Sequence, residues 1–304
     1  MVSTHLSQDA IEPLLNRKAI PYLFISPWYL LFLTFVALPL CHSIWLSMQD
    51  MVGLKSRVFV GPSNYLALTH DPLYRKALWN TAYFALGTLF LQLPLALILA
   101  LALNSQRIRG KIFFRLAFFS PVLIAGVFIA IIFTLVFNTE YGLVNYILGS
   151  LGFKVSGLRW LQDSNLIMPA IIFAGVWRWS GFNMVYFLAG LQAIRQELYE
   201  AASIDGAGAF QSFLNITLPG LRPMMAFVLV MSMIGSLQLF DLPYILLQGS
   251  GPNDAGLTAV MYLYRQGFQY GRLGYAAAIG WSLFAVIFVV SMVQMKFLGK
   301  PVEG

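Results

Sequence analysis

Polar side chains set inside long apolar runs are the residues of this chain best suited to chemistry. One group is Trp177-Arg178-Trp179-Ser180, followed by Phe182, Asn183 and Tyr186. A second is Ser232, Ser236, Gln238 and Asp241, and a third is Asn80, Thr81, Tyr83 and Gln92. Polar groups at membrane depth are costly to keep, so each is a functional candidate by default. Aromatic faces beside hydroxyl and amide groups suit a neutral polyol, whose apolar face stacks while its hydroxyls hydrogen-bond. An anionic solute would call for clustered Arg or Lys, and Arg178 is the one cation nearby. Taken singly, these residues are equally suited to bridging or packing between helices. Taken together they predict one polar cavity near the membrane midplane. Its candidate lining is Trp177, Trp179, Phe182, Asn183, Ser232, Ser236, Gln238, Asp241, Asn80 and Tyr83.

The elements that must position these residues are membrane spans. The 304 residues are 59% apolar and only 10% charged, whereas about 25% charged residues is usual for a soluble domain. Apolar runs cover residues 20–48, 75–103, 112–137, 166–190, 224–247 and 274–298. Each has at least the roughly 20 residues needed to cross about 30 Å of hydrocarbon. The expected fold is therefore an all-α integral membrane protein with six transmembrane helices in a domain over 21–300, after a polar tail over 1–20. The first run is too long for a signal-peptide core and has no small-residue cleavage site. Pro39, Pro94, Pro121 and Pro169 predict static curvature, and Pro243 an opened backbone facing a pathway. Between spans, residues 138–165 predict an interfacial helix with Trp160 at headgroup level. Leu257 to Tyr264 is apolar enough to dip back toward the membrane.

Several chemistries are excluded. Gly110-Lys111 and Gly299-Lys300 lack the upstream glycine and the following Ser/Thr of a phosphate-binding loop, so this chain holds no ATP site of that type. No nucleophile–histidine–carboxylate set lies in a span, which disfavours a membrane enzyme. His5, His42 and His70 are isolated, so no metal site is expected. Cys41 is the single cysteine and forms no intrachain disulfide. The net charge of +7 comes from scattered residues that read as membrane-flanking anchors, not as a nucleic-acid surface. Sorted by side, ten Lys/Arg fall on the expected inner segments and eight on the outer ones, with Arg178 completing the nineteen. That is a weak inward bias.

One segment is organised differently. Leu198 to Pro223 is the longest polar-containing segment lying directly between two strongly apolar runs. Tyr199 to Ser203 favours helix, and Gly206 and Gly208 supply a sharp turn. Phe210, Phe213, Leu214 and Thr217 then recur at helical spacing, with Pro219 and Pro223 expected to stop the pattern. The reading is two short helices joined by a glycine elbow, a knob suited to docking in a partner's cleft. The spaced set Glu200-Ala201-Ala202, Asp205-Gly206-Ala207, Phe213, Ile216, Leu218-Pro219 and Pro223 resembles the EAA loop of ABC importer permeases. Phe240-Asp241 with Tyr244, and the later turn Gly249-Ser250-Gly251-Pro252, resemble the carbohydrate (maltose/glycerol-phosphate-type) subgroup. That turn falls one residue later than the subgroup's pattern.

The resemblance implies a type I importer permease fold, with residues 191–223 as a cytoplasmic coupling loop. Glu200, Ala201, Ala202, Asp205, Gly206, Ala207, Phe213 and Pro219 would meet the ATPase. It further implies a homologous second permease, two ATP-binding subunits carrying ATP and Mg, and an extracytoplasmic solute-binding protein. No cofactor is expected on this chain itself, and no nucleic acid. The implied setting is multi-pass, in a bacterial plasma (inner) membrane among its lipids, with both termini cytoplasmic. The implied function is import of a di- or oligosaccharide or glycoside by alternating access. The alternatives are a glycerol-phosphate or osmolyte permease, or a membrane enzyme or regulator that docks an ATPase.

Overall fold

The computed structural model describes residues 20–52, 56–105, 107–155 and 157–298. The expected polar tail lies outside the described residues except for Ile20, as do Lys55 and Lys300. Helix α1 (Pro21–Ser47) is a span with no part of its apolar window buried inside this chain. A short antiparallel ribbon follows, β1 (Gln49–Val52) on β2 (Ser56–Phe59), with Gln49 opposite Phe59. This ribbon is a small departure from the all-helical expectation. Helix α2 (Ser63–His70) leads into the long span α3 (Pro72–Asn104).

The start of α3 is fixed by its sequence. The Asp71 carboxylate accepts from the N–H groups of Leu73 and Tyr74 at 2.9 and 3.2 Å, and Pro72 opens the helix where an N–H has no partner anyway. The hydroxyls of Tyr262 and Tyr275 also donate to Asp71, at 2.5 and 2.6 Å. Partial burial works to raise the Asp71 pKa, but these four hydrogen bonds outweigh it and hold the carboxyl below its ordinary range.

The run expected as one straight span over 112–137 is broken. Helices α4 (Lys111–Leu123) and α5 (Gly126–Val136) meet at 101°. Pro121 sits near the end of α4, two residues before the break. Within the 138–165 connection a helix forms, α6 (Leu143–Ser150), and Trp160 donates its indole N–H to Asn145 Oδ1 at 2.7 Å. Helix α7 (Ile167–Ala193) is long enough to cross the membrane but, with Arg178 and Asn183 along it, is not among the helices apolar enough to qualify as a span by composition.

Helices α8 (Gln196–Ile204) and α9 (Ala209–Gly220) form the polar connection, and α9 bends by 63° into α10 (Arg222–Leu237). The expected stop falls at Gly220, one residue past Pro219, whereas Pro223 opens the next helix and ends none. A wide π turn at Phe213–Thr217 precedes Pro219 and makes room for its ring, and Pro223 lies in the first turn of α10. The run expected over 224–247 is also two helices. It breaks at Gln238–Phe240, where Phe240 has φ −139° and ψ −60°, and resumes as α11 (Asp241–Leu246). Pro243 is not the break, because it occupies the first turn of α11, where a missing N–H costs little. Helix α12 (Ala259–Tyr264) covers most of the apolar 257–264 stretch, and α13 (Leu273–Leu298) is the last span.

Packing centres on α3 and α7. Ala96 and Ala100, one turn apart on α3 and fully buried, let α7 approach with Met184, Phe187, Leu188 and Leu191. At the other end Ile129, Ala130 and Phe133 of α5 pack with Ile171 of α7 and Leu242 and Leu246 of α11. The two clusters leave a gap between them, where the polar residues lie.

Candidate functional site

The gap is a cavity of about 350 Å³ between α3, α7 and α10, within the usual size range for small-molecule sites. Helix α7 supplies Arg178, Trp179, Phe182, Asn183 and Tyr186, an i, i+3, i+4, i+7 stripe from Trp179 with Arg178 at its edge. Trp179 and Phe182 pack edge to face at 5.7 Å between centroids, and Phe182 and Tyr186 at 5.1 Å. Helix α10 supplies Ser232 and Ser236, one turn apart, and α3 supplies Thr88 and Gln92, also one turn apart. The Asn183 amide donates to the Ser232 hydroxyl at 3.0 Å. The Thr88 hydroxyl is buried without a partner, as is Nε of Arg178.

At the end of the cavity away from the 194–221 connection, Arg178 Nη1 donates to Asp241 Oδ2 at 3.1 Å. The Arg178 side chain is 14% exposed and that of Asp241 47%. The guanidinium also lies 5.1 Å from the Trp179 ring centroid, a cation–π contact. The lone cation of the cavity is thus already met by a carboxylate.

Six of the ten candidates line this cavity: Trp179, Phe182, Asn183, Ser232, Ser236 and Asp241. The other four do not. Trp177 is two residues from Trp179, hence on the opposite side of α7, where it packs on Phe133 at 5.5 Å. Gln238 falls in the break after α10 and is exposed. Tyr83 is 45% exposed on the outer surface of α3. Asn80 is buried two turns from Thr88, beyond the cavity's end, where its amide donates to the carbonyls of Asp254 and Leu257 at 3.1 and 3.0 Å. Thr88 is a lining residue the polar pattern did not single out. Its signal was the i, i+4 relation to Gln92 on a helix otherwise apolar around it.

The 194–221 connection is a built elbow. Gly206 has φ +77°, and the N–H groups of Ala207 and Gly206 donate to the carbonyls of Ala202 and Ser203 at 2.9 and 3.2 Å. This is a Schellman C-cap with Gly206 in the left-handed position. Tyr199 on α8 and Thr217 on α9 share a hydrogen bond of 2.9 Å that braces the two arms. Glu200, Ala201, Asp205 and Gly206 face solvent, whereas Ala202, Ala207, Phe213 and Pro219 are half-buried against the protein. Ile204 and Phe210, 86% and 71% exposed, add an apolar knob that the spaced motif did not include.

Multiple spans, two of them broken beside a polar cavity, define a membrane transport subunit. Residues 92–303 match the family described as binding-protein-dependent transport system inner membrane component, and the chain belongs to it. It is an ABC importer permease. The chain is 43% identical over 286 residues, 94% of its length and 90% of the relative's, to the arabinooligosaccharides transport system permease protein AraP of Bacillus subtilis (strain 168). Among solved structures, it superposes with a TM-score of 0.81 and 25% identity on a chain of a bacterial ABC transporter involved in the import of the acidic polysaccharide alginate, covering 94% of this chain and 97% of that one. A second structure holds the alginate transporter in complex with an alginate pentasaccharide-bound periplasmic protein, with a TM-score of 0.79 at 24% identity over 91% of this chain and 93% of that one.

Proposed function

We propose that this chain is the translocating permease of a binding-protein-dependent importer for a neutral di- or oligosaccharide. The observation that carries the reading is the cavity's lining. The aromatic stripe Trp179–Phe182–Tyr186 faces the amide and hydroxyls of Asn183, Ser232, Ser236, Thr88 and Gln92, and its one cation is paired with Asp241. Sugar rings stack on such a stripe, and their hydroxyls would satisfy groups such as Thr88 Oγ1 that are buried without partners. An anionic solute would find Arg178 already neutralised. The similarity to an arabinooligosaccharide permease supports the same solute class.

The work is divided among subunits. A second, homologous permease completes the pathway, and two ATPase subunits bind ATP and Mg and seat the elbow formed by α8 and α9. Glu200, Asp205, Ile204 and Phe210 make that contact. The elbow lies on the cytoplasmic side, as do both termini, and the binding protein delivers sugar at the opposite face. The test is the ATPase activity of the complex co-purified on this permease, in lipid, with its binding protein and a panel of solutes. Stimulation by one or a few neutral saccharides is expected. Stimulation only by glycerol phosphate or other charged solutes would overturn the neutral-sugar reading, and failure to co-purify an ATPase would overturn the coupling role.

A further inference from the structure

The transport reading assigns sugar contact to the cavity and ATPase contact to the elbow, but it does not say how displacement passes between them. Helices α7 and α10 run from the two ends of the elbow along either side of the cavity. At the elbow they are pressed together: a Cβ on Gly190 of α7 would come 2.9 Å from Leu221 Cδ2 and 3.0 Å from Met224 Cβ. The Tyr199–Thr217 hydrogen bond braces the elbow itself, and Asn183–Ser232 ties α7 to α10 halfway up. Beyond Leu237 the fifth span is broken, and no helical ladder carries force across Gln238–Phe240. Asp241 is the first residue after that break, and Arg178 of the unbroken α7 holds it. A Cβ on Gly126, the first residue of α5, would lie 2.0 Å from Asp241 Oδ2 and 3.0 Å from Arg178 Nη1. The start of the second broken half-span is therefore fitted around the same pair. Among the described residues this is the one ion pair within the spans.

We propose that Arg178–Asp241 is a positioning pair that closes the far end of a frame whose near end is the coupling elbow. The pair makes the two half-spans α5 and α11 move with α7 when the elbow is displaced. It thereby couples the ATPase face to the face that receives the binding protein. The inference rests on the transport reading and adds the coupling route. The same route carries the signal from the binding protein to the ATPase, so loss of the pair weakens that stimulation.

The experiment uses the full complex in lipid and measures ATPase stimulation by liganded binding protein across several transported sugars. The variants are Asp241→Asn, which keeps the size beside Gly126 but removes the charge, Arg178→Gln with Asp241→Asn, and Gly126→Ala. Gly126→Ala forces the pair apart from outside the cavity and keeps both charges, so it carries the test if Asp241→Asn does not insert. Expected is a loss of stimulation of about tenfold, within the usual range of allosteric coupling. The loss is the same for every sugar and alike in Asp241→Asn and Gly126→Ala, and the double variant is no worse than Asp241→Asn alone. Full stimulation in both single variants would overturn the proposal. So would a loss that differs between sugars or appears only as a higher half-saturating concentration, because that pattern belongs to a sugar-binding group. A wild-type complex that no binding protein stimulates would defeat the transport reading itself, and this inference with it.

Discussion

Gly206 offers the cleanest measurement of what the proposed coupling role of the elbow requires. Its φ is +77°, and a Cβ built there would meet nothing within 4 Å. A substitution therefore meets no neighbour, and its whole cost is conformational. Holding a β-branched residue in the left-handed region costs about 1–3 kcal/mol. A central value of about 2 kcal/mol lowers the equilibrium constant for the native elbow roughly 30-fold. Asn enters that region more readily than Ala, and Ala more readily than Val. Uptake into proteoliposomes and recovery of co-purified ATPase should therefore fall in the order Gly, Asn, Ala, Val at position 206. Gly206→Val is expected to insert normally and to transport almost nothing. Uptake at the wild-type rate in Gly206→Val would refute the elbow reasoning. If Asn proved as damaging as Val, the open surface at this position, and not its backbone angle, would be what the partner reads.

Three further predictions concern other sites. Trp179→Ala should raise the half-saturating sugar concentration about tenfold, the scale of one aromatic contact. Trp177→Ala should leave it alone, since that ring packs on Phe133; equal effects would disprove the assigned faces of α7. Asn80→Leu strands the carbonyls of Asp254 and Leu257, and should lower stability by about 2 kcal/mol in thermal unfolding without altering sugar response. The Asp71 pKa is depressed in the folded protein, so its stabilisation is fully present above the unfolded carboxyl pKa of about 3.9 and is lost as pH falls through the lower folded value. Asp71→Asn keeps the helix cap but should flatten the acid-side loss of thermal stability below about pH 4, and an unchanged acid limb would remove Asp71 from that role.

Much of this molecule is legible in its sequence, because the rules that decide those parts are local. Apolar runs long enough to span hydrocarbon fix the spans, and Asp71-Pro72 fixes the start of α3. Gly206 fixes the elbow, because a left-handed C-cap favours glycine whatever surrounds it. Helical periodicity also groups Trp179, Phe182, Asn183 and Tyr186 on one stripe, and it already separates Trp177 from them. Periodicity fixes faces relative to one another, but neither which face meets the neighbouring helix nor at what depth. Asn80 and Thr88 share a face of α3, yet one is spent on the carbonyls of a distant loop and the other reaches the cavity. The breaks at 124–125 and 238–240 were likewise decided by packing. Pro121 and Pro243 permit a bend near each, but the bend falls where Asp241, Arg178 and Gly126 come together. Those three residues are far apart in the chain, so only the tertiary structure could bring them together.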